Sequence, residues 1–414
     1  MKKKFFSDFF FIQLINLLIK PVWILIIDRK VQNVLPAHEY GTYFSLTGYS
    51  MLFMILLDLG FTNFNNREIA INKNSFAQNF WNLIGAKSFL TLAFFILAFA
   101  FGWFLKFNSS DFVILGLLCT NQALLSFNNF FRSNISAIHK FKTDAILSIT
   151  DRLFVIICLG TIIWTSILPV KLSLISFIFA QTIGLTLTFV LSLFSVIKYF
   201  GIPTLNLSAA KAKELIKKSI PFAFVIAFMT IYTRIDSVII LKLLPNGREQ
   251  SAIYAMSYRL LDAAAIVGTL LAGQLYPLFS SNIKEKSKIN AIVKWSSVIS
   301  LLPALLVTWV CYMYSHQIMK ALYPDKYNFE AGWVFSILIW CIPAMFLVNI
   351  FGTLLTSAWY LKKIIITAII ACLINIAGNL LFIQTYGLQA VAITALITQL
   401  YFGLACFYYS QKLF

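Results

Sequence analysis

One feature constrains this chain more than any other: stretches of about 20 apolar residues, each long enough to cross a bilayer as a helix, recur from end to end. They fall near 9–27, 40–60, 82–105, 112–131, 146–165, 173–196, 221–244, 252–275, 291–314, 331–356, 364–383 and 388–408, about twelve in all. The weakest break is Gln384-Thr-Tyr-Gly387, between the last two. Loops of at most about two dozen residues leave no room for a soluble domain. Backbone inside a bilayer must satisfy its own hydrogen bonds, so runs of this length form helices. The expectation is an all-α polytopic membrane protein. A composition 60% hydrophobic and 12% charged, with 41 Phe suited to lipid-facing helices, agrees.

The net charge of +18 does not call for nucleic acid, because it is spread over short loops and sorted by side. Lys2–Lys4, Arg132 with Lys140 and Lys142, Lys198 with Lys211–Lys218, Lys284–Lys288 and Lys362–Lys363 fall on alternate connections. The intervening ones carry far fewer cations, among them Arg29, Lys30, Lys106, Lys320 and Lys326. The positive-inside rule then makes both termini cytoplasmic. The basic start could pass for a leader peptide, but Gln13, Asn16 and Lys20 interrupt its apolar core and no small-residue cleavage site follows. We take it as a retained first span.

The connection 199–220 divides the chain into an N-lobe, 1–198, and a C-lobe, 221–414, of six spans each. Within it Ser208–Lys218 has the pattern of a basic amphipathic helix, with Glu214 and Lys218 paired at i,i+4, suited to rest on an anionic cytoplasmic leaflet. The lobes echo one another: Val34-Leu-Pro36 then Gly41-Thr-Tyr43 recurs as Leu243-Leu-Pro245 then Ala252-Ile-Tyr254. Parallel six-span repeats are a transporter architecture, with the substrate path between lobes.

Charges inside the spans are the candidate functional groups. Arg234 and Asp236 lie in the seventh span, where a charge costs roughly 2.5–3.5 kcal/mol and must face protein or an aqueous cavity. Helical spacing puts Thr230, Arg234 and Ser237 on one face, read as lining an anion path. Tyr232 and Asp236 share another, read as gripping an adjacent helix. In the first span Gln13, Asn16 and Lys20 form a polar face, with Lys20 too deep to snorkel and so expected in a cavity. Lys87 and Lys294 are near span ends, where snorkelling accounts for them. The eighth span carries Tyr254, Tyr258 and Asp262 on one face, with Arg259 three residues before Asp262. Either Arg259 and Asp262 neutralise each other, or Asp262 is a protonatable or cation-binding switch; Asp236 is the other coupling candidate. In the fourth span Asn121, Gln122, Ser126, Asn128 and Asn129 are read as helix-to-helix glue. Pro21, Pro303 and Pro343 should kink their spans. The six Cys sit in apolar runs without a CxxC and are read as small buried hydrophobes. No metal-spaced cluster, phosphate loop or nucleophile motif occurs, so no enzyme is expected and no cofactor beyond a coupling H+ or Na+.

Several short motifs, in order, carry a resemblance: Glu39-Tyr-Gly-Thr-Tyr43, Asp58-Leu-Gly60, Tyr232-Thr-Arg-Ile-Asp236, Tyr254-Ala-Met-Ser-Tyr258, Leu275-Tyr-Pro277 and Tyr386-Gly-Leu-Gln-Ala390. In these the chain resembles the polysaccharide-biosynthesis flippases, of O-antigen and capsule type, in the multidrug/oligosaccharidyl-lipid/polysaccharide exporter superfamily. The resemblance implies two six-helix lobes around a central cavity. It also implies flipping of an undecaprenyl-pyrophosphate-linked oligosaccharide across a bacterial inner membrane, with membrane lipids and other polysaccharide-assembly proteins as partners. The cations expected to meet the pyrophosphate are Arg234, Lys20 and Arg259, with Thr230, Ser237 and Asn16 beside them. Two alternatives share features with this one. A cation-coupled drug or metabolite antiporter of the same superfamily would favour an acid-rich cavity. A membrane polysaccharide polymerase or ligase would normally present a long external loop, and the loops here are short.

The topology has a direct check. In a cysteine-free background, single cysteines at Ser208 and Asn328 should react with impermeant reagent from opposite sides of the membrane. Reaction of both from one side would contradict the orientation.

Overall fold

The computed structural model describes residues 15–62, 76–138, 140–165, 171–201 and 209–413, and every regular element among them is helical. Gln13 and Ser208 lie outside these residues. The described chain begins with α1 (15–34), then α2 (Ala37–Leu52), α3 (Met54–Asp58), α4 (Phe76–Phe104) and α5 (Ser109–Ala137). It continues through α6 (Phe141–Trp164), α7 (Leu174–Phe200), α8 (Ala209–Leu243), α9 (Gly247–Asn282) and α10 (Lys286–Met313). The last elements are α11 (Ser315–Leu322), α12 (Phe329–Leu338), α13 (Cys341–Leu347) and the 51-residue α14 (Leu361–Gln411). Nine of the described helices are long and apolar enough to cross a membrane. The longest, α14, is broken at Gly387, whose φ of 56° only glycine adopts without strain, so it holds the two terminal runs expected from sequence.

Two compact units are formed. The first comprises residues to Trp23 and Tyr49–Ala227, the second Ile24–Gly48 and Phe228–Phe414. Helices α1, α2 and α8 contribute to both. The amphipathic segment expected before the seventh span is helical from Ala209 and runs without interruption into it as α8.

Local chemistry explains the ends of the first unit's helices. At the start of α5, Asn108 and Asp111 cap each other, the Asp111 amide donating to Asn108 Oδ1 at 2.8 Å and the Asn108 amide to Asp111 Oδ2 at 3.2 Å. Ser173 and Ser176 do the same for α7, which stops at Gly201 with φ 78°. The core is an aromatic cluster in which Phe80 stacks on Phe130, centroids 5.5 Å apart, with Phe61 and Phe131 also fully enclosed.

Lys87 of α4 corrects the snorkelling expectation. Its side chain is completely buried, and its ammonium donates to the Leu57 carbonyl at 2.6 Å, to Ser126 Oγ at 2.6 Å and to Asp58 Oδ1 at 3.0 Å. Three donors are thus matched by three acceptors, at the C-terminal end of α3 where the helix dipole favours a cation. The chain turns away immediately afterwards through Leu59, φ 41°, and Gly60, φ 78°. Sequence position alone suggested a reach to the interface; acceptors nearer than the interface won.

In the second unit, glycines of α2 set the spacing. A Cβ on Gly41 would collide with the Arg248 carbonyl, and one on Gly48 with Ser237 Oγ and the Arg234 carbonyl. Seven residues apart, both lie on one face, so α8 and α9 approach α2 with backbone nearly touching backbone. The proline expectations divide. Near Pro21 and Pro343 the ladder widens to π-helix, over Trp23–Asp28 and Val348–Gly352, whereas α10 is one helix through Pro303. All six cysteines are unpaired and four are buried.

The Lys87 clasp predicts an asymmetry. Asp58 keeps 22% of its side chain exposed and can be hydrated if left alone, whereas Lys87 cannot. Asp58→Asn should therefore reduce folded protein in the membrane more than Lys87→Met, with losses up to the roughly 3–5 kcal/mol of a broken buried pair. Thermal unfolding of the two variants in detergent measures the order, and equal losses would refute it.

Candidate functional site

Four elements of the second unit bring charges together. Arg234 of α8 donates through Nη2 to Asp262 Oδ1 of α9 at 3.0 Å. Arg259, one turn before Asp262, donates through Nη1 to its other oxygen at 3.2 Å. Asp262 is thus a bridge between two guanidiniums. Arg259 in turn reaches Asp28 Oδ2 of α1 through Nε at 2.9 Å, and the hydroxyl of Tyr40 in α2 donates to the same carboxylate oxygen at 2.8 Å. The guanidinium of Arg259 also lies 5.7 Å from the Tyr43 ring and 5.5 Å from Phe44, and that of Arg234 5.3 Å from Tyr258. Such faces stabilise a cation withdrawn from water.

The spacing of α9 therefore yields both pairings at once: Arg259 with Asp262, as its three-residue interval suggested, and Asp262 with Arg234 across helices. Sequence reading missed Asp28 and Tyr40. Asp28 falls just past the end of the first apolar run and beside Arg29 and Lys30, so it read as a loop residue. The π turn over Trp23–Asp28 carries α1 on past this point, and Asp28 is 2% exposed. A signal was present: an acid one residue beyond a span that contains a proline about two turns earlier.

Asp236 belongs to a separate arrangement on α8. Its carboxylate accepts from Tyr254 Oη of α9 at 3.0 Å and from Asn379 Nδ2 of α14 at 2.8 Å, and Asn379 Nδ2 is also 3.1 Å from Asn375 Oδ1. Among the described residues both of these partners of Asp236 are neutral donors, yet it is 2% exposed. Asn379 Oδ1 beside it is buried without a hydrogen-bond partner. Tyr232 packs on Phe402 of α14, ring centroids 5.4 Å apart. Ser237 is buried, donates to the Arg234 carbonyl at 2.9 Å and fits the space left by Gly48. Thr230 is half-buried one turn before Arg234, and its carbonyl accepts from Thr233.

Lys20 and Asn16 lie in the first unit. Asn16 donates to Ser148 Oγ at 2.9 Å. Lys20 lines a cavity of about 220 Å³ together with Arg132, Asp151 and Arg152, and forms no hydrogen bond or ion pair among the described residues. Arg132 is held by Asp144 at 2.8 Å and Arg152 by Asp151 at 3.3 Å. The amides of α5 are partly the expected glue: Asn128 donates to the Leu185 carbonyl at 3.1 Å, while Ser126 serves Lys87. The expected site residues are thus divided between the units, with Arg234, Arg259 and Asp262 joined, Asp236 apart from them, and Lys20 with Asn16 in the other unit.

The described residues contain no group of three potential metal-ligating side chains. They do contain guanidiniums able to exchange a carboxylate for another oxyanion, and a buried carboxylate with neutral neighbours.

Solved structures similar to this chain include membrane transporters. The chain resembles the lipid II flippase MurJ in an inward closed conformation, TM-score 0.73 and 15% identity, over 98% of this chain and 87% of that one. It resembles equally an inward-facing multidrug resistance MATE family transporter of the MOP superfamily, TM-score 0.71 and 12% identity, over 97% and 94%. A MOP superfamily transporter from Pyrococcus furiosus, described as having a binding pocket of reverse polarity, follows with TM-score 0.69 and 13% identity, over 99% and 95%. At such identities these likenesses establish the fold. No curated protein matches the sequence. The profile described as Polysaccharide biosynthesis protein matches residues 6–283, most of the chain, and on that match the chain belongs to the polysaccharide biosynthesis protein family.

Proposed function

We propose that this protein is a flippase. It moves an undecaprenyl-pyrophosphate-linked oligosaccharide from the cytoplasmic to the periplasmic leaflet of a bacterial inner membrane, by alternating access driven by an H+ or Na+ gradient. The observation that carries this reading is the family match over 6–283, joined to a fold shared with a lipid II flippase. The cations support it in different degrees. Arg234 has one carboxylate contact and five N–H donors, so most of its fork is free to take phosphate oxygens. Lys20 has no carboxylate at all. Arg259 is enclosed by Asp28, Asp262 and three aromatic rings, and serves as the clamp that orients Asp262 rather than as the first contact with an anion.

The coupling role falls more naturally on Asp236 than on Asp262. Two guanidiniums already neutralise Asp262. A carboxylate as buried as Asp236, held by neutral donors, has no counter-charge, which a proton or a small cation would supply, and Asn379 Oδ1 is a further buried oxygen without a hydrogen-bond partner.

One finding favours the antiporter reading. With Asp28 counted, the charge network of the second unit holds as many carboxylates as guanidiniums, and Asp236 tips it toward acid, as a site for cationic drugs would be. Deleting the gene in its host separates the two: lipid-linked sugars accumulate on the cytoplasmic face for a flippase, and drug tolerance falls with those sugars unchanged for an antiporter.

At the level of residues, Arg234→Ala should lower export of lipid-linked sugar about tenfold to a hundredfold at normal membrane abundance, the equivalent of a lost charge-assisted hydrogen bond of about 1.5–3 kcal/mol. Arg234→Lys should restore part of it, keeping charge and losing the fork. Asp236→Asn should leave a folded protein whose transport no longer responds to an imposed ion gradient. Surface polysaccharide measured against flippase abundance tests the first, and gradient-jump transport in vesicles the second. Full export by a well-expressed Arg234→Ala protein would remove Arg234 from the anion site.

A further inference from the structure

Two cavities open on one stretch of α5 inside the first unit, and they share Leu125 and Asn129 as a common wall. The larger, about 220 Å³, holds Lys20, Arg132, Asp151 and Arg152; the smaller, about 180 Å³, holds Asp58, Thr62 and Ser126. Together they reach the low end of the roughly 300–1,000 Å³ of small-molecule sites. Their lining is unlike a lipid contact. Each arginine has its own carboxylate, so Lys20 is the cation of this groove with none. Asn128, 3% exposed, spends its amide hydrogens on the Leu185 carbonyl and leaves Oδ1 without a hydrogen-bond partner. Asn129 on the shared wall is exposed and makes no hydrogen bond among the described residues. The Arg152 guanidinium also lies 5.3 Å from the Trp23 ring.

What would satisfy these groups is narrow. Lys20 asks for an anion, while the amide oxygen of Asn128 asks for a donor and the exposed amide of Asn129 can meet a hydroxyl. A bare phosphate supplies the first and few of the second; a neutral sugar the reverse; an acyl chain neither. A hydroxylated anion supplies both. We propose that the α5 groove is a saccharide subsite that selects a sugar carrying negative charge, with Lys20 on the charge and Asn128 and Asn129 on the hydroxyls. The inference rests on the flippase reading and adds to it the part of the substrate that this unit reads. The charge has two sources, the phosphoryl group through which the first sugar is anchored or an acidic sugar within the chain, and both present the same chemistry to Lys20. By the topology proposed above the groove lies in the cytoplasmic half, where loading begins.

The test is calorimetric titration of the full-length protein in lipid nanodiscs with four soluble probes: glucose 1-phosphate, glucuronate, glucose and inorganic phosphate. At least one of the two sugar anions should bind at least tenfold more tightly than glucose and than phosphate, and the tighter of the two identifies the source of the charge. Lys20→Gln should reduce that affinity to the level of glucose. Asn129→Ala, at an exposed position that folding tolerates, should weaken both sugar anions while leaving phosphate unchanged. Equal binding of phosphate and the sugar anions would overturn the subsite, as would an unchanged affinity in a folded Lys20→Gln protein. Probe binding retained in Arg234→Ala separates this groove from the second-unit anion site. Binding that survives while gene deletion leaves lipid-linked sugars unaltered would uphold the subsite and reject the flippase.

Discussion

Everything in the second unit depends on the cost of a charge withdrawn from water. Arg259 is surrounded by aromatic rings in a helix that must also cross a bilayer, and neither lipid nor rings can replace its hydration in full. Two carboxylates do so, Asp28 from α1 and Asp262 from its own helix. This requirement dictates geometry. Helix α1 must continue far enough to deliver Asp28, which the π turn permits, and α2 must approach closely enough to deliver Tyr40, which Gly41 and Gly48 permit. The glycines and the π turn are otherwise costs: one gives up backbone order, the other hydrogen-bond geometry. They are explained by the charge they accommodate.

The same constraint produces two kinds of buried charge, and the difference separates framework from function. Lys87 has every donor matched by an acceptor, and nothing about it calls for a ligand. Asp236 and Lys20 are incomplete. The first is closed from water with neutral partners; the second lines a cavity and forms no ion pair among the described residues. The proposed function, carrying an anion at the expense of an ion gradient, would need groups whose solvation is left for the ligand to finish. Arg234 stands between these cases, since its carboxylate partner Asp262 is shared with Arg259 and can be yielded to a competing oxyanion at the cost of one hydrogen bond.

How much of this was legible beforehand follows from range. Helical periodicity is local, so the apolar runs, the break at Gly387, the Arg259–Asp262 interval and the outward grip of Asp236 could be read from spacing. Lys87 could not, because its three acceptors come from α3 and α5, 29 to 39 residues away in sequence, and a lysine near a span end looks the same whether it reaches water or a buried carbonyl. Asp28 was hidden by a boundary: hydropathy ends a span where polarity begins, and a π turn lets the helix go on. The gathering of Lys20, Arg132, Asp151 and Arg152 around one cavity depends on how α1, α5 and α6 pack, which no single helix records.

The distribution of charge also bears on what a shared fold leaves free to vary. The likeness extends to a multidrug transporter, a lipid II flippase and a transporter described as having a pocket of reverse polarity, all at 12–15% identity. Apolar packing such as the Phe80–Phe130 core is indifferent to the sign of the cargo, so it can be kept while polar positions change. In this chain Asp28 and Asp262 match Arg234 and Arg259 in the second unit, Asp236 adds an acid there, and Lys20 of the first unit has no carboxylate partner among the described residues. The helices could remain where they are while single residues move the preferred charge of the ligand from one unit to the other. In such a scaffold the few unmatched side chains, rather than the fold, are where the proposed substrate class should be read.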